Sequence, residues 1–186
     1  MFTKSESGPE SIKQAADVPK KMLHFCIKVM VKVLMVCLGN ICRSPLAEGI
    51  MRQRAAEKGI ACEVNSAGTG NWHIGEAPHP SSQKVALLNK VDISGQRARQ
   101  FCASDMRDYD KIFFMDEQNL RDARQMAGKH WDAARAALLL EALPHKTDKN
   151  VPDPYFGGWS DYLEVYKLID EAVCSLLEND AAFETR

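Results

Sequence analysis

The chain has 186 residues, of which 45% are hydrophobic and 26% charged, with 24 Lys and Arg against 25 Asp and Glu for a formal charge of -1. That is the length and make-up of one ordinary globular domain, and the balanced charge argues against general binding to nucleic acid or to a membrane surface. Six cysteines without the spacing of a small disulfide scaffold suit a reducing cytoplasm.

Residues 1 to about 20 carry Lys, Ser, Glu, Gly and Pro with little apolar content and read as a disordered tail. The apolar stretch 22–36 is broken by Lys28 and Lys32 and has no small-residue cleavage site, so neither a membrane span nor a secretory leader is expected. The folded domain is expected over residues 31–182, with 1–30 as a tail and Met30 as an alternative translation start. Residues 31–36 are rich in β-branched types and predict a buried strand, followed by a loop over 37–43. A helix is expected over 44–58, with Ser44 at its capping position, Pro45 in its first turn and Leu46, Ile50 and Met51 at helical spacing.

A strand over 61–66, a loop over 67–78 and a helix over 79–90 follow, then an irregular stretch with a short helix inside 101–108. Residues 111–115 are an apolar strand bounded by charges, and 117–128 a helix ending near Gly128. A fourth strand is expected over 136–140, a loop over 145–158, and a last helix over 160–178 opened by a Ser/Asp cap. Strands separated by helices predict an α/β fold, a single three-layer α/β/α domain with a four-stranded parallel sheet, and the loop after the first strand is read as its phosphate-binding loop from its own residues. Met35, Phe113, Phe114 and Met115 belong to its core.

The chemistry concentrates in Cys37-Leu38-Gly39-Asn40-Ile41-Cys42-Arg43-Ser44-Pro45. A helix N-terminus after a tight loop attracts anions, and successive inward N–H groups make an anion nest. Gly39 and Asn40 are the types that tolerate the left-handed backbone of such a nest. Arg43 can grip two phosphate oxygens at once. Cys37, at the strand end in this positive field, is placed to act as a nucleophilic thiolate, and the Ser44 hydroxyl to donate to its sulfur. The competing reading is a small buried cysteine with a chance arginine six positions on. A nucleotide-binding P-loop is disfavoured, because no Gly-Lys-Ser/Thr follows. Cys26, Cys62, Cys102 and Cys174 are scattered and the histidines fall outside ligand spacing, so no metal and no cofactor is expected.

Residues 36–48 resemble the signature of the low-molecular-weight protein tyrosine phosphatases. Asn65-Ser66-Ala67-Gly68-Thr69, Trp72 to Gly75, Arg97-Ala98-Arg99-Gln100, Met115 to Leu120 and Asp153-Pro154-Tyr155-Phe156-Gly157 are similar to further family segments in the same order, and the likeness spans roughly residues 31 to 180. The resemblance implies Cys37 as nucleophile through a phosphocysteine, Arg43 and the N–H groups of Leu38, Gly39, Asn40, Ile41, Cys42 and Ser44 as the phosphate cradle, and Asp153 as acid then base. It also implies that Asn40, Ser44 and Ser66 brace the loop, and that Trp72 and Tyr155 wall the substrate cleft, though either aromatic could serve the core instead. Asp153 taken alone could be a plain turn residue.

Gln96 stands where many relatives carry His, His79 where an acidic residue is common, and Phe156 where some carry Tyr. Cys42 is either a packing residue or a redox partner that forms a reversible disulfide with Cys37. The activity expected is hydrolysis of phosphotyrosine and small aryl phosphates by a cytoplasmic monomer acting on phosphotyrosine-bearing proteins, with no nucleic-acid or membrane partner. A thioredoxin-linked arsenate reductase shares the loop but needs further relay cysteines, and only Cys102 lies in the middle of the chain. A non-catalytic phosphoprotein-binding or redox-sensing module would have no need of Cys37, Arg43 and Asp153 together.

Overall fold

The computed structural model describes residues 30–183, so the tail expected over residues 1–30 lies, except for Met30, outside the described residues. Four parallel strands form one sheet in the order β2-β1-β3-β4. They are β1 (Val31–Cys37), β2 (Cys62–Gly68), β3 (Lys111–Phe114) and β4 (Ala136–Leu138). Each is followed by helix, which is how a parallel sheet returns the chain to its starting edge. The helices are α1 (Arg43–Glu57), α2 (Pro80–Leu88), α3 (Asp105–Asp108), α4 (Glu117–Ala127) and α5 (Trp159–Asn179).

Strand β1 shows why the sheet is a middle layer. Val33, Met35 and Cys37 face one apolar cluster with Leu46 and Ile50 of α1, Val85 of α2 and Ile169 of α5. Leu34 and Val36, the alternate residues, face a second cluster with Met106 of α3 and Ala123 and Ala127 of α4. Both faces of a strand with period-two side chains are therefore buried, as a near-continuous apolar run requires. Phe113 and Met115 join the first cluster and Phe114 the second. The three-layer α/β/α architecture matches the expectation.

Strand order also fixes where a ligand can sit. From β1 the chain moves to β2 on one side and later to β3 on the other, so a crevice opens at the carboxyl end of β1. Cys37 is the last residue of β1, paired in register with Gly68 at the end of β2, while Val36 pairs with Phe114 at the end of β3.

Element boundaries depart from the sequence expectation at informative places. Helix α1 begins at Arg43 with Cys42 at the capping position and no side-chain cap, so Ser44 is not the cap but lies in the first turn. β2 runs on to Gly68, because its last residues pair in register beside the end of β1 at Cys37. β4 stops at Leu138 and a 3-10 turn covers Leu139–Ala142, where helix-forming alanine and leucine outweigh strand propensity. α5 is capped at Gly158, whose N–H donates to Asp161 Oδ2 at 2.8 Å, so Asp161 closes the first turn and Ser160 does not. Gly128, with φ +54, ends α4 in the backbone region that favours glycine.

Candidate active site

Residues 38–42 curl between β1 and α1. Asn40 takes φ +56, which turns its own N–H back to Cys37 Sγ at 3.2 Å. Its side chain makes that conformation worth holding. Asn40 Nδ2 donates to Ser44 Oγ at 2.9 Å and to Ser66 Oγ at 2.8 Å, and its Oδ1 accepts from the Arg99 N–H at 2.9 Å. Ser66 in turn donates to the buried Glu48 at 2.5 Å, and Arg52 pairs with the other oxygen of that carboxylate at 2.8 Å. Burial pushes the Glu48 carboxyl up, and Ser66 and Arg52 pull it back in part.

The Cys37 sulfur, buried at 2% exposure, lies 3.0 Å from Ser44 Oγ. The same hydroxyl is 3.3 Å from the Ala67 carbonyl. Its one proton therefore has two acceptors, and a charged sulfur attracts it more strongly than a neutral carbonyl does. Ser44 Oγ reaches the sulfur from the first turn of α1 and not from its capping position.

Arg43, 3% exposed, comes from the first turn of α1 and is held on several sides. Its Nη1 donates to Asp116 Oδ2 at 2.6 Å and to the Val151 carbonyl at 3.1 Å, and its Nη2 donates to Asp153 Oδ2 at 2.6 Å. Burial disfavours its charge, but the neighbouring Cys37, Asp153 and Asp116 outweigh that together and hold its pKa above the ordinary arginine value. Its Nε is buried and has no partner among the described residues. Asp116 caps α4 with its other oxygen, accepting from the Asn119 N–H at 2.6 Å. This residue was not singled out from sequence. The available signal was an acidic cap directly behind a buried strand, at the edge where ligands bind.

Asp153 is 41% exposed at the side chain, and its Oδ1 accepts from the Tyr155 N–H at 3.1 Å. Backbone pairing of Val151 N–H with the Met115 carbonyl at 2.7 Å ties this loop to the end of β3. Asp153 is thus brought to Arg43 over 110 positions of sequence.

A pocket of about 310 Å³ opens here, lined by Cys37, Leu38, Gly39, Ile41, Cys42 and Arg43 below, and by Trp72, His73, Asp153, Tyr155 and Phe156 around its mouth. Trp72 is 60% and Tyr155 43% exposed, so both stand at the cleft and neither is core. His73 was missed from sequence. Its ring neighbours both, with centroids 6.2 Å from Trp72 and 6.4 Å from Tyr155, and its Nδ1 is 2.8 Å from the Glu76 carboxylate. Ser66 lies outside the pocket lining and acts through Asn40. Gln96 also stays behind the loop, donating to the Pro45 carbonyl at 3.2 Å.

Cys42 lines the same pocket but faces a different partner. Its sulfur is 3.7 Å from the hydroxyl of the buried Tyr162, which is itself 3.0 Å from His79 Nδ1. Burial pushes the Cys42 thiol up to about 11, more than Tyr162 lowers it. Cys37 and Cys42 are both free thiols.

Comparison with known proteins agrees with this geometry. The family model described as low molecular weight phosphotyrosine protein phosphatase matches residues 32–183. The chain is 41% identical over 150 residues to the low molecular weight protein-tyrosine-phosphatase YfkJ of Bacillus subtilis, covering 80% of this chain and 94% of that protein. The crystal structure of YfkJ superposes with a TM-score of 0.74, at 37% identity over 82% of this chain and 97% of that one. Wzb of Vibrio vulnificus, solved in complex with benzylphosphonate, gives a TM-score of 0.72 at 27% identity, covering 81% and 99%. A Drosophila arginine phosphatase gives 0.75 at 30% identity, covering 80% and 96%.

Proposed function

The chain belongs to the low molecular weight phosphotyrosine protein phosphatase family and is a protein tyrosine phosphatase, and from that premise we propose that it cleaves aryl phosphate esters by attack of Cys37. The sulfur attacks phosphorus in line, the phosphorus–oxygen bond breaks, and Asp153 gives its proton to the departing phenolate. A phosphocysteine results. Asp153 then takes a proton from water, which attacks the same phosphorus and returns the thiolate. Arg43 and the N–H groups of residues 38–42 and Ser44 hold the equatorial oxygens through both steps.

The observation that carries this reading is that one pocket holds Cys37, Arg43 and Asp153 together. The unpartnered Nε of Arg43 supports it as a donor left for a phosphoryl oxygen. A phosphate dianion would also compete with Asp153 for Nη2, which frees the carboxyl to turn toward the leaving group. The walls Ile41, Leu38, Trp72, Tyr155 and Phe156 favour a flat aromatic ring. A guanidinium phosphate, the class suggested by the arginine phosphatase neighbour, would meet one carboxylate among apolar side chains.

We take the folded unit as residues 31–182, acting in the cytoplasm on phosphotyrosine-bearing proteins, and as a monomer because the pocket is complete within one chain. No helix among the described residues is long and apolar enough to cross a membrane. The second thiol of the loop, Cys42, is assigned a redox role, forming a disulfide with Cys37 when peroxide oxidises the nucleophile.

Asp153→Ala tests the acid step. With phenyl phosphate, a poor leaving group, kcat/KM, which reports the phosphoryl transfer to Cys37 and not the later hydrolysis that both substrates share, should fall by about 10²-fold or more, and with p-nitrophenyl phosphate by clearly less. Equal losses on the two substrates would remove Asp153 from leaving-group protonation.

A further inference from the structure

We infer that Cys42, Tyr162 and His79 form a proton relay that ionises Cys42 for capture of an oxidised Cys37; the inference rests on the redox assignment above.

The direction of the chain is set by the cap of α2. His79 Nδ1 accepts from the Ser81 N–H at 3.2 Å, so its lone pair is on Nδ1 and the ring proton is on Nε2. The Tyr162 hydroxyl, 3.0 Å from that nitrogen, must then donate to it. A donating hydroxyl keeps its lone pairs for the remaining neighbour, the Cys42 thiol at 3.7 Å. The relay runs S–H to O–H to N.

Surroundings hold the three groups in place. Tyr162 is 2% exposed, and the His79 ring stacks on it at 5.3 Å and 11°. The edge of Tyr155 covers His79 from the cleft side at 5.9 Å. The His79 N–H donates to the Ile41 carbonyl at 2.7 Å, and Ser82 Oγ donates to the Cys42 carbonyl at 3.3 Å, so α2 is tied to the loop that carries both thiols. Burial pushes Cys42 and Tyr162 up, so neither ionises readily alone, while His79 is pushed down and stands neutral as the acceptor. His79 is partly exposed and can pass a proton to solvent.

The chemistry balances. Peroxide oxidises the Cys37 thiolate, the sulfur–oxygen bond forming as the peroxide bond breaks and hydroxide leaves. Cys42 then gives its proton to Tyr162 Oη as the Tyr162 proton moves to His79 Nδ1. The freed Cys42 sulfur attacks the Cys37 sulfur, a sulfur–sulfur bond forms, and the sulfur–oxygen bond breaks. The departing hydroxide becomes water with the proton that His79 releases. The hydroxide of the first step takes up the proton that the Cys37 thiol gave to solvent on ionising, so that two thiols are oxidised and one peroxide is reduced to two waters.

The test treats the purified full chain with hydrogen peroxide, quenches it with an alkylating agent over time, and counts the Cys37–Cys42 disulfide by peptide mass spectrometry. The parent should form it. Tyr162→Phe keeps the ring and His79→Asn keeps a capping acceptor, and each should form it at least about tenfold more slowly, while losing activity to peroxide at the parent's rate. Over-oxidised Cys37 should accumulate in both. His79→Asp, which places a basic carboxylate acceptor at the cap where Asn has none, should recover the rate. A disulfide that forms within about twofold of the parent rate in both slow variants overturns the relay and leaves the redox assignment standing. No disulfide in the parent overturns both.

Discussion

Arg43 Nη2 and Asp153 Oδ2 stand 2.6 Å apart, which joins the guanidinium we propose as anion holder and the carboxyl we propose as proton donor in one ion pair. A single guanidinium can serve both only because its other arm is fixed on Asp116 and the Val151 carbonyl. Lysine in this place keeps the charge but has no fork. Arg43→Lys should therefore lower kcat/KM for an aryl phosphate by about 10²-fold or more, since it removes directed donors from the transition state. Steady-state kinetics checks this, and activity within a few-fold of the parent would show that charge alone suffices.

Asp116 serves two structures at once, with one oxygen on Arg43 and the other on the first turn of α4. Asp116→Ala should cost about 1 kcal/mol of stability from the lost cap, read by urea unfolding. It should also lower kcat by more than that fraction of unfolded chain explains, because Arg43 loses an anchor. Asp116→Asn keeps an acceptor for Asn119, so it should recover most of the stability and little of the kcat.

Gly68 lies under the catalytic loop. A Cβ there would meet the Leu38 carbonyl oxygen at 2.7 Å and the Asn40 nitrogen at 3.0 Å. Backbone cannot yield as a side chain can, so Gly68→Ala should displace the loop whose N–H groups we propose to hold phosphate. The expected result is a loss of phosphate affinity, measured as competitive inhibition, together with a large fall in kcat. Unchanged inhibition by phosphate would show that the loop tolerates the methyl.

Glu48 gives a pH-dependent stability. Burial raises its carboxyl in the folded state above its ordinary 4.5. A raised folded pKa means that the native state binds the proton more tightly, so the contribution is full below 4.5 and is lost as pH rises through the folded value. Against Glu48→Gln, the parent should therefore lose relative stability as pH climbs from about 4 toward 8. Denaturant midpoints across that range measure it, and a parent that gains on the variant with rising pH would reverse the sign.

Much of this site could be read from the chain before any coordinates. Cys37, Arg43 and the loop between them are contiguous, and a strand before with a helix after fixes their geometry locally. Asp153 was legible only through its Asp-Pro-Tyr resemblance, since nothing local says that it crosses 110 positions to reach Arg43. Asp116 was not legible as an anchor, because its nearness to Arg43 depends on β3 lying beside β1, a register that single-strand patterns do not carry. Ser44 misled as a cap because serine favours caps generally, whereas here its hydroxyl is occupied by Cys37 and Asn40. Tyr162 reads as an ordinary core position at helical spacing, and only its two polar neighbours distinguish it.

The central claim is that Cys37 carries the phosphoryl group. Rapid quenching during turnover of an aryl phosphate, followed by peptide mass spectrometry, should find phosphate on Cys37 in the parent. Cys37→Ser should carry none at that step and release phosphate at a near-background rate. Parent-like phosphate release by Cys37→Ser, or a phosphorylated residue other than Cys37, would contradict the account.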